Sequence, residues 1–173
     1  ITKVRLDHEN KTFNTNHSEL VVLGYDPADT ATGEGFWKEL ASVAGAGSST
    51  TLTTPTFAAK KYLRFTIYTT AFTNGRMTFN GDTGSNYTSR YTGNGSGNAA
   101  ATGQTGLELL YASAPASIEG IMLNDASLEK NGVVHTAERN TAGAGAALNR
   151  QERIIKWVRT SGSGTGDAAS QIT

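Results

Sequence analysis

Between Lys61 and Phe72 the chain alternates so regularly that an extended strand is the conformation it fits. Leu63, Phe65, Ile67 and Ala71 fall on one side and Tyr62, Arg64, Thr66, Tyr68 and Thr70 on the other, with β-branched and aromatic residues throughout. Shorter versions of this signal recur at Thr2 to Leu6, Glu19 to Leu23, Phe36 to Val43, Arg76 to Asn80, Tyr87 to Tyr91, Gly106 to Tyr111, Ser117 to Leu123, Gly132 to Thr136 and Arg153 to Arg159. Turn chemistry punctuates them at Asn74-Gly75, Gly81-Asp82-Thr83-Gly84, Asn94-Gly95-Ser96-Gly97 and Asn131-Gly132. About ten short strands at such spacing predict an all-β, antiparallel sandwich or barrel.

Two segments also satisfy a helical period: Phe36, Trp37, Leu40, Val43 and Ala44, and Leu148, Gln151, Ile154, Ile155 and Val158. In the second, the competing alternation of Arg153, Ile155, Trp157 and Arg159, followed by a Ser-Gly-Ser-Gly run, favours a strand. Gly-rich stretches at Gly45 to Thr51, Gly93 to Gly103, Gly143 to Gly145 and Gly162 to Gly166 exceed the length of tight turns. Their small side chains bury little to offset ordering entropy, so each is expected to be a mobile loop unless a partner orders it.

Composition narrows the function classes. At 173 residues the chain is one domain's worth. Fifteen basic and fifteen acidic residues cancel, and no run of like charge forms a phosphate-binding stripe, so nucleic acid is not expected as a partner. No apolar stretch reaches the length of a membrane span. Cysteine is absent, which excludes disulfides, thiolate metal sites and thiol nucleophiles together.

Local constellations carry little chemistry. Phe79-Asn-Gly-Asp-Thr-Gly-Ser-Asn-Tyr87 offers Asn80, Asp82 and Ser85 as oxygen ligands for calcium, but with a single carboxylate it reads as a turn, and no metal or cofactor is expected. His8, His17 and His135 are scattered; His8 with Asp7 or Glu9 lacks a nucleophile on a Gly-x-Ser-x-Gly turn, and no glycine pattern suits a nucleotide. Four Asn-x-Ser/Thr sequons, at Asn10, Asn16, Asn86 and Asn94, matter only on a glycosylating route. Tyr62, Tyr68, Tyr87, Tyr91 and Tyr111 are candidates for a sugar-stacking or subunit-contact surface. No catalytic residue is assigned; a hydrolase using Asp82 or Glu108 needs a carboxylate pair that the spacing does not locate.

Several longer strings go further. Ser18-Glu-Leu-Val-Val-Leu-Gly-Tyr-Asp-Pro-Ala-Asp-Thr30, Phe36-Trp-Lys-Glu-Leu-Ala-Ser-Val43, Ala59-Lys-Lys-Tyr-Leu63, the Phe79 to Tyr87 string and Asn140-Thr-Ala-Gly-Ala-Gly145 with Asn149-Arg150 resemble a family of jelly-roll-like β-sandwich proteins of tailed phages and environmental viruses. The resemblance implies a virion structural or appendage protein and carries no catalytic residues across. In that family the Trp-containing segment opens a domain and strands like Ile1 to Leu6 and Glu19 to Gly24 close one, whereas here the closing pair comes first.

Ile172-Thr173 also repeats as Ile1-Thr2. Residues 1–30 are therefore expected to be closing strands of a preceding or neighbouring unit plus a linker around Asp26 to Gly35, or an edge of the chain's own sheet. Residues 31–173 are the expected jelly-roll-like β-sandwich domain with long Gly-rich loops. The expected function is a non-enzymatic virion structural protein of tail, fibre or capsid-decoration type, extracellular, self-assembling or attached to other virion proteins. The alternative is an extracellular carbohydrate-binding module that holds host glycan through residues such as Tyr87 and Tyr91.

Overall fold

The computed structural model describes residues 3–7, 19–25, 37–46, 50–72, 74–109, 114–126, 128–138, 144–145, 147–160, 166–167 and 171–173. Its strands are β1 (Val4–Asp7), β2 (Glu19–Tyr25), β3 (Lys38–Ala44), β4 (Thr51–Thr53), β5 (Tyr62–Phe72), β6 (Arg76–Phe79), β7 (Tyr87–Gly93), β8 (Ser96–Gln104), β9 (Leu107–Glu108), β10 (Ala114–Leu123), β11 (Lys130–Glu138), β12 (Asn149–Trp157), β13 (Arg159–Thr160) and β14 (Gly166–Asp167). No helix occurs among the described residues. Both segments with a competing helical period are strands, β3 and β12.

A four-stranded sheet, β4-β1-β6-β9, faces an eight-stranded one, β3-β2-β5-β10-β11-β12-β7-β8, and β13 pairs with β14 alone. All pairings are antiparallel. The all-β antiparallel sandwich expected from alternation is the fold observed. The core lies between the sheets. From the smaller sheet come Val4, Leu6, Leu52, Met77, Phe79 and Leu107; facing them are Leu20, Val22, Leu63, Phe65, Ile67, Ile118, Met122, Val134, Ile155 and Trp157, all buried. At about 25 cal/mol per Å² of apolar surface removed from water, this layer supplies the main driving force for the fold.

The opening strands pair within this chain. β1 lies between β4 and β6, and β2 lies between β3 and β5, so neither forms a sheet edge here. Val4, Leu6, Leu20 and Val22 are buried in the same core as the rest. Completion of a neighbouring unit concerns assemblies of more than one chain. The linker expected at Asp26 to Gly35 lies outside the described residues.

Two sequence expectations change. Gly93 to Gly103 is not a loop: Asn94 (φ 51°) and Gly95 (φ 75°) form a two-residue left-handed turn that joins β7 to β8 as a hairpin. Asn131-Gly132 is not a turn either, because both residues lie inside β11 opposite Leu123 and Met122. Of the remaining Gly-rich stretches, residues 47–49, 143 and 162–165 lie outside the described residues.

Candidate functional site

The loop from β6 to β7 was the sequence's strongest candidate for chemistry, and its polar groups are turned inward. Left-handed Asn80 (φ 54°) and Gly81 (φ 67°) reverse the chain and bring Asp82 beneath the end of β12. The Asp82 carboxylate then accepts four hydrogen bonds: from Gly84 N–H (2.9 Å), from Asn86 Nδ2 to each oxygen (3.0 and 2.8 Å) and from Trp157 Nε1 (2.8 Å). Tyr87 donates its hydroxyl hydrogen to the Asp82 carbonyl at 2.8 Å and accepts from Phe79 N–H at 2.9 Å. The rings of Phe79, Tyr87 and Trp157 lie 5.7 to 6.3 Å apart, centroid to centroid, so an aromatic cluster closes over the loop. Burial pushes the Tyr87 phenol well above its ordinary value; the hydrogen bond from Phe79 opposes this and the nearby Asp82 charge adds to it.

This arrangement bears on three sequence features: it agrees with the turn reading of the loop, and it changes the setting of the Asn86 sequon and of Tyr87. Asp82 points both oxygens at N–H donors rather than at an open coordination sphere, so the loop is a structural lock. Asn86 is committed to Asp82, which takes its sequon out of reach of a glycan. Tyr87, proposed as a sugar platform, is 1% exposed. Tyr91 carries the Arg153 guanidinium 4.4 Å above its ring, so that ring face is covered as well. Asn94 bonds Asn149 Oδ1 through its side chain and accepts from Arg150 N–H.

The other candidates disperse. Glu108 pairs with Arg76 at 3.5 Å on β9 and β6. His135 stands on the outer face of the large sheet between Glu119 and Glu152 in cross-strand register, where Glu119 is paired with Arg64 and Glu152 with Arg150. A shallow concavity of about 400 Å³ near His135 is bordered by Arg90, Val133, Glu152 and Ile154. Among the described residues no group of three or more His, Asp or Glu side chains converges as a metal site. His8, His17 and Tyr111 lie outside the described residues.

What the sandwich does present outward is contact surface. Ile121, Val133 and Ile154 stand side by side across β10, β11 and β12 on the outer face and are 42%, 44% and 63% exposed. Beyond them the large sheet ends on β8, whose residues from Gly97 to Ala100 are all exposed on both faces. Sequence reasoning missed this strand because Ala99-Ala100-Ala101 has no polar and apolar contrast to alternate. The Asn-Gly turn before it was the available signal.

A second polar group holds the last described residues. Asn124, fully buried, donates to the Lys60 and Ile172 carbonyls (2.9 and 3.0 Å) and accepts from Ile172 N–H (2.7 Å). Asn80 donates to the Gln171 carbonyl at 2.7 Å while its own N–H bonds the Lys3 carbonyl at 2.8 Å. Residues near both ends of the chain therefore meet at one asparagine. No protein-family model, curated protein or solved structure matches the chain.

Proposed function

We propose that this protein is a non-enzymatic structural subunit of an extracellular assembly, a virion tail, fibre or decoration protein, that contacts its neighbours through the edges and outer face of its sandwich. The observation that carries this reading is the contrast between inward and outward groups. The most distinctive polar loop is consumed by internal hydrogen bonds, while an apolar row and a strand edge that is unpaired among the described residues are left at the surface. The virion setting rests on the resemblance of the Ser18 to Thr30, Phe36 to Val43 and Phe79 to Tyr87 strings to phage and viral sandwich proteins.

Mass spectrometry of purified source particles, together with light scattering on the isolated protein over a wide concentration range, tests this reading. Peptides of this chain in the particle and self-association of the pure protein support it. A protein absent from particles and monomeric throughout overturns it.

A further inference from the structure

The two sheets have four edges, and three of them are guarded. β4 is three residues long and β9 two, too short to template another strand. β3 carries exposed Lys38 and Glu39, and the extra residue Leu40 breaks its register between Val22 and Leu23 of β2. β8 differs. It runs for nine residues, Ser96–Gln104, without a charge or a proline, and among the described residues no strand pairs along its outer side. Its backbone N–H and C=O groups on that side are a template for main-chain hydrogen bonds.

The order of residues on β8 selects the occupant. Gly97-Asn98-Ala99-Ala100-Ala101-Thr102-Gly103 reads nearly the same in both directions about Ala100. Geometry follows composition: the register with β7 slips once on each side of the run Ala99–Ala101, near Gly97 and near Gly103, and both glycines have positive φ (73° and 61°). The bulges thus lie three residues either side of Ala100 and leave the middle of the strand regular.

We infer that β8 pairs antiparallel with β8 of a second copy of this chain about a two-fold axis at Ala100, fusing two eight-stranded sheets into one. This rests on the structural-subunit reading above and names the edge, the partner and the register. Ala100 faces the partner's Ala100, Ala99 faces the partner's Ala101, Asn98 faces the partner's Thr102 and Gly97 faces the partner's Gly103. An isologous contact of this kind requires such a self-complementary strand. The cations nearest the axis are the two copies of Arg90, each one strand inward from Ala100. Each guanidinium reaches outward to Asn98 Oδ1 at 3.0 Å. In the proposed register Asn98 and its copy stand four residues, ~13 Å, apart along the paired strands, beyond the ~8 Å Debye length at physiological salt, so the two charges repel little. Alanine and glycine bury little area, so affinity comes from the backbone ladder and the association is concentration-dependent.

The absence of cysteine makes the test direct, because any introduced thiol is unique. Sedimentation of the full chain is expected to show a dimer that Ala100→Pro, lacking the edge N–H, and Ala100→Lys, crowding two ammonium groups at the axis, convert to a folded monomer. Circular dichroism and the melting midpoint check that both variants remain folded. Under mild oxidation Ala100→Cys is expected to cross-link as a homodimer, since directly opposed residues bring Cβ atoms within about 5 Å. Ala99→Cys and Ala101→Cys are expected to cross-link when mixed, and poorly alone. A dimer that survives Ala100→Lys, or that cross-links through Val133→Cys on the outer face and not through Ala100→Cys, overturns the edge contact while the structural-subunit reading stands. A chain monomeric up to ~1 mM, where association is worth about 4 kcal/mol, overturns the edge contact; if it is also absent from particles, the structural reading falls with it.

Discussion

The indole N–H of Trp157 donates to the Asp82 carboxylate at 2.8 Å across 75 sequence positions, tying the last residue of β12 to the loop before β7. Trp157 is buried, so the bond is formed away from water and its loss leaves an orphan donor in the core. Asp82→Ala removes the acceptor for Trp157, Asn86 and Gly84 together and is expected to cost roughly 2–4 kcal/mol, more than one neutral hydrogen bond is worth. Urea unfolding measures it. Trp157→Phe keeps an aromatic side chain but removes the donor and part of the indole volume; in the Asp82→Ala background it is expected to cost less than it does alone, and a double-mutant cycle separates the coupling from the lost packing.

The same saturation of Asp82 bears on metals. Because its two oxygens already accept from Asn86, Gly84 and Trp157, a chelator is expected to leave the melting midpoint unchanged, and added calcium is expected not to raise it. A calcium-dependent rise in the midpoint would show that the loop opens to bind the ion.

Gly120 sits directly opposite Phe65 on the inner face, and a Cβ there would lie 2.1 Å from the Phe65 ring. Glycine inside this strand is a space requirement imposed by the aromatic beside it. Gly120→Ala is expected to destabilise by roughly 1–3 kcal/mol, as overpacking does. Adding Phe65→Leu is expected to recover part of that loss, because the clash goes with the ring; thermal unfolding of the pair checks it.

The sequence made the layers legible and left the long-range polar contacts dark. Alternation places Leu63, Phe65 and Ile67 of β5, and Arg153, Ile155 and Trp157 of β12, on common faces, and those faces are buried. Period two does not say which face is inner, so Tyr87, read as a surface platform, belongs to the core. It also fails where side chains are uniform: Ala99 to Ala101 in β8 shows no contrast, and Thr51–Thr53 is too short to read. The bonds of Asp82 to Trp157 and of Asn124 to Ile172 join residues 75 and 48 positions apart, and no local spacing encodes such pairs.

Asn124 satisfies both backbone groups of Ile172, whose side chain is fully buried, while Asn80 holds the residues on either side by donating to the Gln171 carbonyl and accepting from Thr173 N–H. Asn124→Ala is expected to destabilise by roughly 1–3 kcal/mol through the unpaired Ile172 and Lys60 groups. Hydrogen exchange should quicken first at Ile172 and Thr173, whereas the β10–β11 ladder should stay protected unless the whole domain loosens.

Glu138 gives the fold a pH dependence of defined sign. It is buried at the end of β11, accepting from Gln151 Nε2 at 3.1 Å, while Gln151 in turn accepts from Arg153 at 2.8 Å. Burial raises its carboxyl above the usual value, and the Arg153 charge offsets part of that rise. The folded state therefore holds this proton more tightly than the unfolded chain. Its contribution to stability is full below the unfolded value of about 4.5 and is lost as pH rises through the higher folded value. Glu138→Gln removes that titration and keeps the shape. Across this window the stability of the unmodified protein relative to the variant is expected to fall as pH increases. Urea unfolding of both proteins at a series of pH values measures the difference, and a relative stability that instead rises with pH would mean that Arg153 outweighs burial at this carboxylate.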